Sequence, residues 1–393
     1  MTDPLEGRRT PPIPAGRLIA EIALAATGAG LVLGAVSADQ AWFDRHFLPV
    51  FFLSRDRYVL GETLARIAVA VFGVALALLW RPMAGRAVAR SSPRALAAGT
   101  ARMALALLLA AGVGELALRA AFPRAREEVP PQSEPLRRRD AKLGWVFVPS
   151  RVGRQTVAGR VIDYAFDARG YRVPNLFQPV DPTRPTILFT GESIVTGFGL
   201  KWEETFPALV GDALNTQVAN MAVFAYADDQ THMRLAAELP RFAHPTAVVI
   251  LFTPGLLFRD FDDDRPHLGP GLVWRPAVKH SRLVALARYF VPYHSREDID
   301  QVVALAREEL QASLRLAHAR GAMALIVVPH YGPEDRIERS LRRRILDEPG
   351  LPYVWVPLDP ASRIPHDPHP NAAGARLMAA AITMRLREMA TSQ

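Results

Sequence analysis

The 393-residue chain has no cysteine, which excludes disulfides, thiolate metal centres and a cysteine nucleophile while saying little about compartment. Lysine is nearly absent. Lys142, Lys201 and Lys279 are the only three, so arginine carries the net charge of +8. The arginines form no continuous basic stripe of the kind a polyanion needs. The tight clusters, Arg137-Arg138-Arg139 and Arg342-Arg343-Arg344, read as a linker or headgroup-proximal patch and a solvated helix face. Nucleic acid is therefore not an expected partner. Internal repeats are also lacking, and Asp260 with Asp262 to Asp264 lacks the spacing of a calcium loop.

What is present first is apolar length. Segments at about 18–36, 62–80 and 102–121 approach the ~20 residues needed to cross a bilayer, and three transmembrane helices are expected within residues 1–122. Arg8, Arg9 and Arg17 precede the first, while Arg81, Arg86, Arg90 and Arg94 lie between the second and third. The positive-inside rule puts both groups in the cytoplasm. Residues 39–62 then lie outside, with the apolar stretch Phe47 to Leu53 expected in the membrane interface. Three crossings deliver everything after Phe122 to the periplasm or exterior of a bacterial inner membrane, although Arg119, Arg124 and Arg126 beside the third helix run against that charge bias. The first helix also has signal-peptide character, ending at Val36-Ser37-Ala38. Within the helices, Arg66 and Glu115 suggest either an interhelical ion pair or snorkelling to the interface, and Gly30 with Gly34 suggests close packing.

A linker is expected over 123–142 and a small β extension over 143–185. From Thr186 onward, apolar runs at Ile187–Phe189, Gln217–Val223, Ala247–Phe252, Met323–Val328 and Tyr353–Val356 alternate with helical stretches. That pattern predicts an α/β fold with a doubly wound parallel sheet over 186–393. The interval from Pro254 to Ser295 reads as a solvated loop or lid.

Gly191-Glu192-Ser193 follows the first of these runs, and Asp367-Pro368-His369-Pro370-Asn371 follows the last. A serine hydroxyl becomes a useful nucleophile when an imidazole takes its proton and a carboxylate orients that imidazole. Each motif alone also reads as an ordinary turn with a helix cap. Together they sit where a split triad of Ser193, Asp367 and His369 must lie, at the carboxyl edge of an α/β sheet. His366 and His330 rank below His369, since neither is followed by Pro-Asn.

These two blocks resemble those of the SGNH/GDSL hydrolase family, with Glu192 in place of the usual Asp. Gly170-Tyr171-Arg172, Glu204-Thr205-Phe206-Pro207 and Asn220 to Tyr226 are similar to its bacterial membrane-tethered members. The resemblance covers Leu143 to Met389 and implies a flavodoxin-like SGNH fold and a membrane-anchored serine esterase. Such an enzyme removes acyl groups, most simply O-acetyl, from an envelope glycan or related ester. An O-acyltransferase step and a non-catalytic binding module are the alternatives. The resemblance also implies an oxyanion hole of the Ser193 amide, the Ala225 amide and the third-block position. There Gly255 or its neighbour stands where the family has Asn, with Gln230 and Asn220 as substitute donors, Asn220 reading more readily as structural. On this reading Gly255→Asn, or Leu256→Asn one residue on, restores a donor. The implied partners are an acyl-ester substrate and the lipid bilayer; neither a metal nor an organic cofactor is implied.

Overall fold

A computed structural model describes residues 14–121 and 136–392. The expected linker stretch Glu127 to Pro135, together with Arg8, Arg9, Arg124 and Arg126, lies outside the described residues. The chain divides into two compact units, residues 1–45 with 55–118 and residues 46–54 with 119–393.

In the first unit, Ala15–Ser37, Arg55–Arg90 and Pro93–Ala121 are three helices long and apolar enough to cross a membrane. The second passes through a π-helical turn at Leu76–Trp80. The close helix contact runs through glycines other than the expected pair. A Cβ on Gly28 would meet the Gly73 carbonyl oxygen at 2.4 Å, whereas Gly30 and Gly34 have nothing within 4 Å. Arg66 donates from Nε to the Ala35 carbonyl at 2.9 Å. Its guanidinium thus serves the orphan carbonyls at the end of the first helix.

The second unit is organised by one eight-stranded sheet. In chain order its strands are β1 Arg151–Val157, β2 Arg160–Phe166, β3 Arg172–Val173, β4 Thr186–Thr190, β5 Gln217–Asn220, β6 Pro245–Leu251, β7 Met323–Tyr331 and β8 Tyr353–Leu358. Across the sheet the order is β8-β7-β6-β4-β5-β3-β2-β1. The pairs from β8 to β5 are parallel, and those from β5 to β1 are antiparallel. Every residue of β4 is buried, as expected of a central strand covered on both faces. The chain leaves β4 toward β5 on one side and returns to β6 on the other. That reversal opens a crevice at the carboxyl end of β4.

The expected β extension is a continuation of this sheet, joined through Arg172 opposite Asn220. A separate hairpin, Arg137–Asp140 against Gly144–Phe147, begins inside the segment expected as linker. Its Trp145 and Phe147 join Tyr164, Phe166 and Phe224 in an aromatic core. Helices Phe206–Leu214, Asp228–Glu238, Arg296–Ala319 and Ala372–Thr391 fall on the periodic stretches identified in the sequence.

The interval after Pro254 is only partly a solvated loop. Pro254–Phe261 is a 3-10 helix with Pro254, Gly255, Leu256, Leu257 and Arg259 buried. Asp260 lies in a buried charged cluster, its carboxylate accepting from the Asp228 amide at 3.2 Å. No group of three or more metal-ligating side chains occurs among the described residues.

Arg172, the last residue of the Gly-Tyr-Arg triplet, is fully buried. It donates to the carbonyls of Thr196, Gly197 (2.7 Å) and Leu200 (2.5 Å) and lies 4.5 Å above the Tyr164 ring. Burial pulls its pKa down to about 10. The Gly197 carbonyl also accepts from the Leu200 amide at 3.1 Å, so two buried carbonyls, those of Thr196 and Leu200, depend on this fork of donors, and each costs about 1–3 kcal/mol when orphaned. Arg172→Ala is therefore expected to destabilise the fold by about 2 kcal/mol or more. Arg172→Lys recovers only part of that, since a point ammonium cannot span three acceptors. Chemical denaturation of the purified protein checks this; a loss below about 1 kcal/mol for the alanine variant contradicts it.

Candidate active site

Ser193 opens a one-turn helix, Ser193–Thr196, immediately past β4. Two backbone features make so abrupt a turn possible. Gly191 has φ 152°, and a Cβ there would meet Val195 at 2.6 Å and Leu251 at 2.8 Å. Gly197 closes the turn in the left-handed region at φ 81°, where glycine carries no Cβ penalty. Glu192 caps the helix, one carboxylate oxygen accepting from the Ile194 amide at 3.0 Å.

The far end of the chain meets this turn. After β8, the 3-10 turn Pro360–Ser362 leads into the Asp-Pro-His segment. Asn371 then caps Ala372–Thr391, accepting from the amides of Ala373 and Gly374. This fixes His369 beside the serine, with Nε2 2.7 Å from Ser193 Oγ. On the other side of the ring, Nδ1 lies 2.6 Å from Asp367 Oδ1, which also accepts from the His369 amide at 2.8 Å. Burial pushes the Asp367 carboxyl up, yet the hydrogen bonds from His369 outweigh it and hold it below its ordinary value of 3.8. A depressed carboxyl pKa means that the Asp367–His369 contact stabilises the fold at neutral pH and loses that contribution as pH falls through the folded value.

The serine hydroxyl has a second acceptor. It also contacts Glu192 Oε2, toward which Arg259 donates at 3.4 Å. A hydroxyl has one proton to give, so His369 and Glu192 compete for it, and Arg259 draws the carboxylate's charge toward itself. Arg259 also donates to the Tyr226 carbonyl at 3.1 Å. Behind it, Arg265 pairs with Asp229 at 2.7 Å. Burial, with the charge of Asp229, pushes Asp228 up to about 7.

The proposed oxyanion donors fall out as follows. Ala225 adopts φ 63°, a left-handed conformation that costs a non-glycine residue roughly 1–2 kcal/mol. The aromatic core holds this turn in place. Trp145 Nε1 donates to the Phe224 carbonyl at 2.9 Å, and the Tyr226 hydroxyl donates to the Trp145 carbonyl at 2.8 Å. Asn220 gives one amide hydrogen to the Val195 carbonyl at 2.8 Å, and Gln230 gives one of its own to the Leu143 carbonyl at 2.6 Å.

Gly255 has a different neighbour from the one expected. A Cβ there would lie 2.9 Å from the Phe51 backbone nitrogen and 3.0 Å from its Cα, so Gly255→Asn displaces the Phe51 segment before it can supply a donor. Thr253, two residues earlier, has a buried hydroxyl without a hydrogen-bond partner. With Gly191, Glu192, Tyr226 and Asp228 it lines a cavity of about 10 Å³, roughly the space of one water.

Of the lower-ranked histidines, His330 is committed to Glu338 at 3.0 Å and stacks on Trp355, and His366 is exposed on its turn. The supporting residues the sequence did not single out are Arg259, Phe198, whose ring lies 4.6 Å from that of His369, and Phe52, described below.

The sequence matches no family model and no curated protein. Solved structures similar to it include a member of the lipolytic protein G-D-S-L family from Veillonella parvula, at 10% identity and TM-score 0.31, covering 51% of this chain and 96% of that one. A carbohydrate acetylesterase family member from Sinorhizobium meliloti is 16% identical with TM-score 0.32, over 52% and 98% of the two chains. A GDSL-like lipase from Bacteroides thetaiotaomicron is 12% identical with TM-score 0.32, over 54% and 92%. The structural neighbours of the C-terminal half of this chain are thus SGNH/GDSL lipolytic and esterase proteins at low identity.

Proposed function

We propose that the chain is a membrane-anchored serine esterase that cleaves an O-acyl ester, most simply O-acetyl, of an envelope glycan or related molecule. The observation carrying this reading is the unbroken relay from Ser193 Oγ through His369 to Asp367, at 2.7 and 2.6 Å. In the first half-reaction the Ser193 oxygen bonds to the acyl carbon while His369 Nε2 takes the hydroxyl proton. The ester C–O bond then breaks, and His369 returns that proton to the departing alcohol. In the second half-reaction water repeats the sequence, His369 taking its proton and giving it to Ser193 as the acid leaves. The negative oxygen formed in each half is placed near the amides of Ser193 and Ala225, whose donors are fixed before reaction begins.

For the substrate's compartment, the exterior side rests on the arginine bias of the flanking segments, and the fold supports only that residues 46–54 share a side with the serine domain. Residues 46–54, between the first two candidate spans, belong to the same compact unit as residues 119–393, so both stand on one side of any membrane the helices cross. One crossing precedes the first segment and three precede the second, which agrees with that parity.

Ser193→Ala and His369→Ala are each expected to lower kcat on a short acetyl ester by about 10³-fold or more, and Asp367→Asn by less than either. Steady-state hydrolysis of p-nitrophenyl acetate checks this, and unchanged turnover by the serine variant removes the reading. A reporter active only outside the cytoplasm should work when fused after Gln393 and fail when fused within Ala84 to Ser92. The reverse pattern would put the serine in the cytosol and exclude envelope glycans.

A further inference from the structure

The apolar stretch Phe47 to Leu53, expected in the membrane interface, is instead built into the catalytic unit. Phe47 and Leu48 are buried, and Leu48 belongs to the sheet's main core. The Phe51 amide donates to the Gly255 carbonyl at 2.9 Å, and the Phe51 ring lies 5.8 Å from that of Tyr331. At the start of the segment, the His46 carbonyl accepts from the His294 amide at 2.9 Å, and its ring stacks on Tyr293. Three separate regions of the sheet unit thus grip nine consecutive residues, and Gly255 lacks a side chain where the segment crosses it.

The grip places Phe52 at the reaction centre. Its ring lies 6.3 Å from that of His369, and the Arg259 guanidinium lies 5.7 Å over its face. His369 touches the Ser193 hydroxyl directly, and Arg259 reaches it through Glu192. Phe52 therefore borders His369, which touches the nucleophile, and Arg259, which acts on it through Glu192. Phe51, Arg259 and His369 around it are buried or half-buried, yet Phe52 keeps 42% of its surface exposed.

In the proposed reaction the departing alcohol receives its proton from His369 Nε2. Whatever stands beside His369 therefore faces the alcohol half of the ester, while the acyl half turns toward the oxyanion amides. We infer that Phe52, carried on the loop between the first two candidate spans, is a specificity-determining residue that packs against the alcohol half of the substrate. An exposed phenyl ring with a guanidinium beside it suits a ring alcohol that has an apolar C–H face and a hydroxyl rim, a sugar. This inference rests on the esterase reading and narrows its substrate class.

The test uses the full-length protein in detergent and compares two acetyl esters. Acetylated methyl glucoside presents a sugar as its alcohol half; ethyl acetate has an alcohol half too short to reach the ring. Loss of one aromatic contact is expected to raise KM for the sugar ester about five- to tenfold in Phe52→Ala. The ratio of kcat/KM for the sugar ester to that for ethyl acetate should fall by a similar factor, and Phe52→Trp should keep the wild-type preference. Equal losses on both esters would mean that Phe52 only holds the loop, and no loss on either would mean that it faces no substrate; both overturn the assignment.

Because the chain has no cysteine, a Phe51→Cys, Tyr331→Cys pair tests the docking without catalysis. A short bis-maleimide should join the two thiols within one chain, and failure to join them overturns the loop placement whatever the kinetics. A wild-type enzyme inert on both esters refutes the esterase reading and the sugar assignment with it, and the cross-link then still decides the docking.

Discussion

A buried guanidinium links the Ser193 turn to the rest of the fold. Arg172 sits on β3, where the antiparallel extension joins the parallel sheet through Asn220, and its donors end on the three carbonyls that follow the Ser193 helix. Without that fork, the loop from Thr196 to Leu200 would bury carbonyls with no partner, a cost the packing around it does not otherwise offset. The same extension supplies the Tyr164 hydroxyl, which accepts from the Gly199 amide at 2.8 Å, and Trp145, which pins the Phe224 carbonyl. Both the serine turn and the Ala225 turn are therefore held from one side by the antiparallel strands. The parallel sheet provides the crevice, and the extension makes its two critical turns rigid.

What the sequence made legible is local. Five apolar runs alternating with helical periodicity give the parallel sheet, because a doubly covered strand such as β4 must be apolar throughout. The two catalytic motifs are legible because each follows a strand directly, and chain order then brings Ser193 and His369 to the same sheet edge. What stayed hidden depends on partners distant in sequence. Gly28 approaches Gly73, and nothing in either helix marks those glycines over Gly30 and Gly34. Gly255 looks like a lost oxyanion donor when aligned by motif, yet its missing side chain is explained by Phe51, about two hundred residues earlier. Arg172 belongs to a recognisable triplet, but a sequence cannot show that its guanidinium points into the protein.

The Phe47 to Leu53 stretch is the most instructive misreading. An apolar segment between two spans has the composition of an interfacial anchor, and composition does not distinguish lipid from a folded neighbour as the apolar partner. Here the neighbour is the sheet unit, to which residues 46–54 belong. Residues 119–393 alone lack Phe51 and Phe52, so removing the N-terminal helices with their loop also removes the contacts to Gly255, Tyr331 and His369.

The central claim, that Ser193 is an activated nucleophile, is tested most directly by covalent capture. Full-length protein treated with a fluorophosphonate should gain one adduct, and peptide mass spectrometry should place it on Ser193. His369→Ala should abolish the labelling, since the hydroxyl then has no base to take its proton. An unlabelled wild-type protein, or an adduct on another residue that survives Ser193→Ala, would contradict the account.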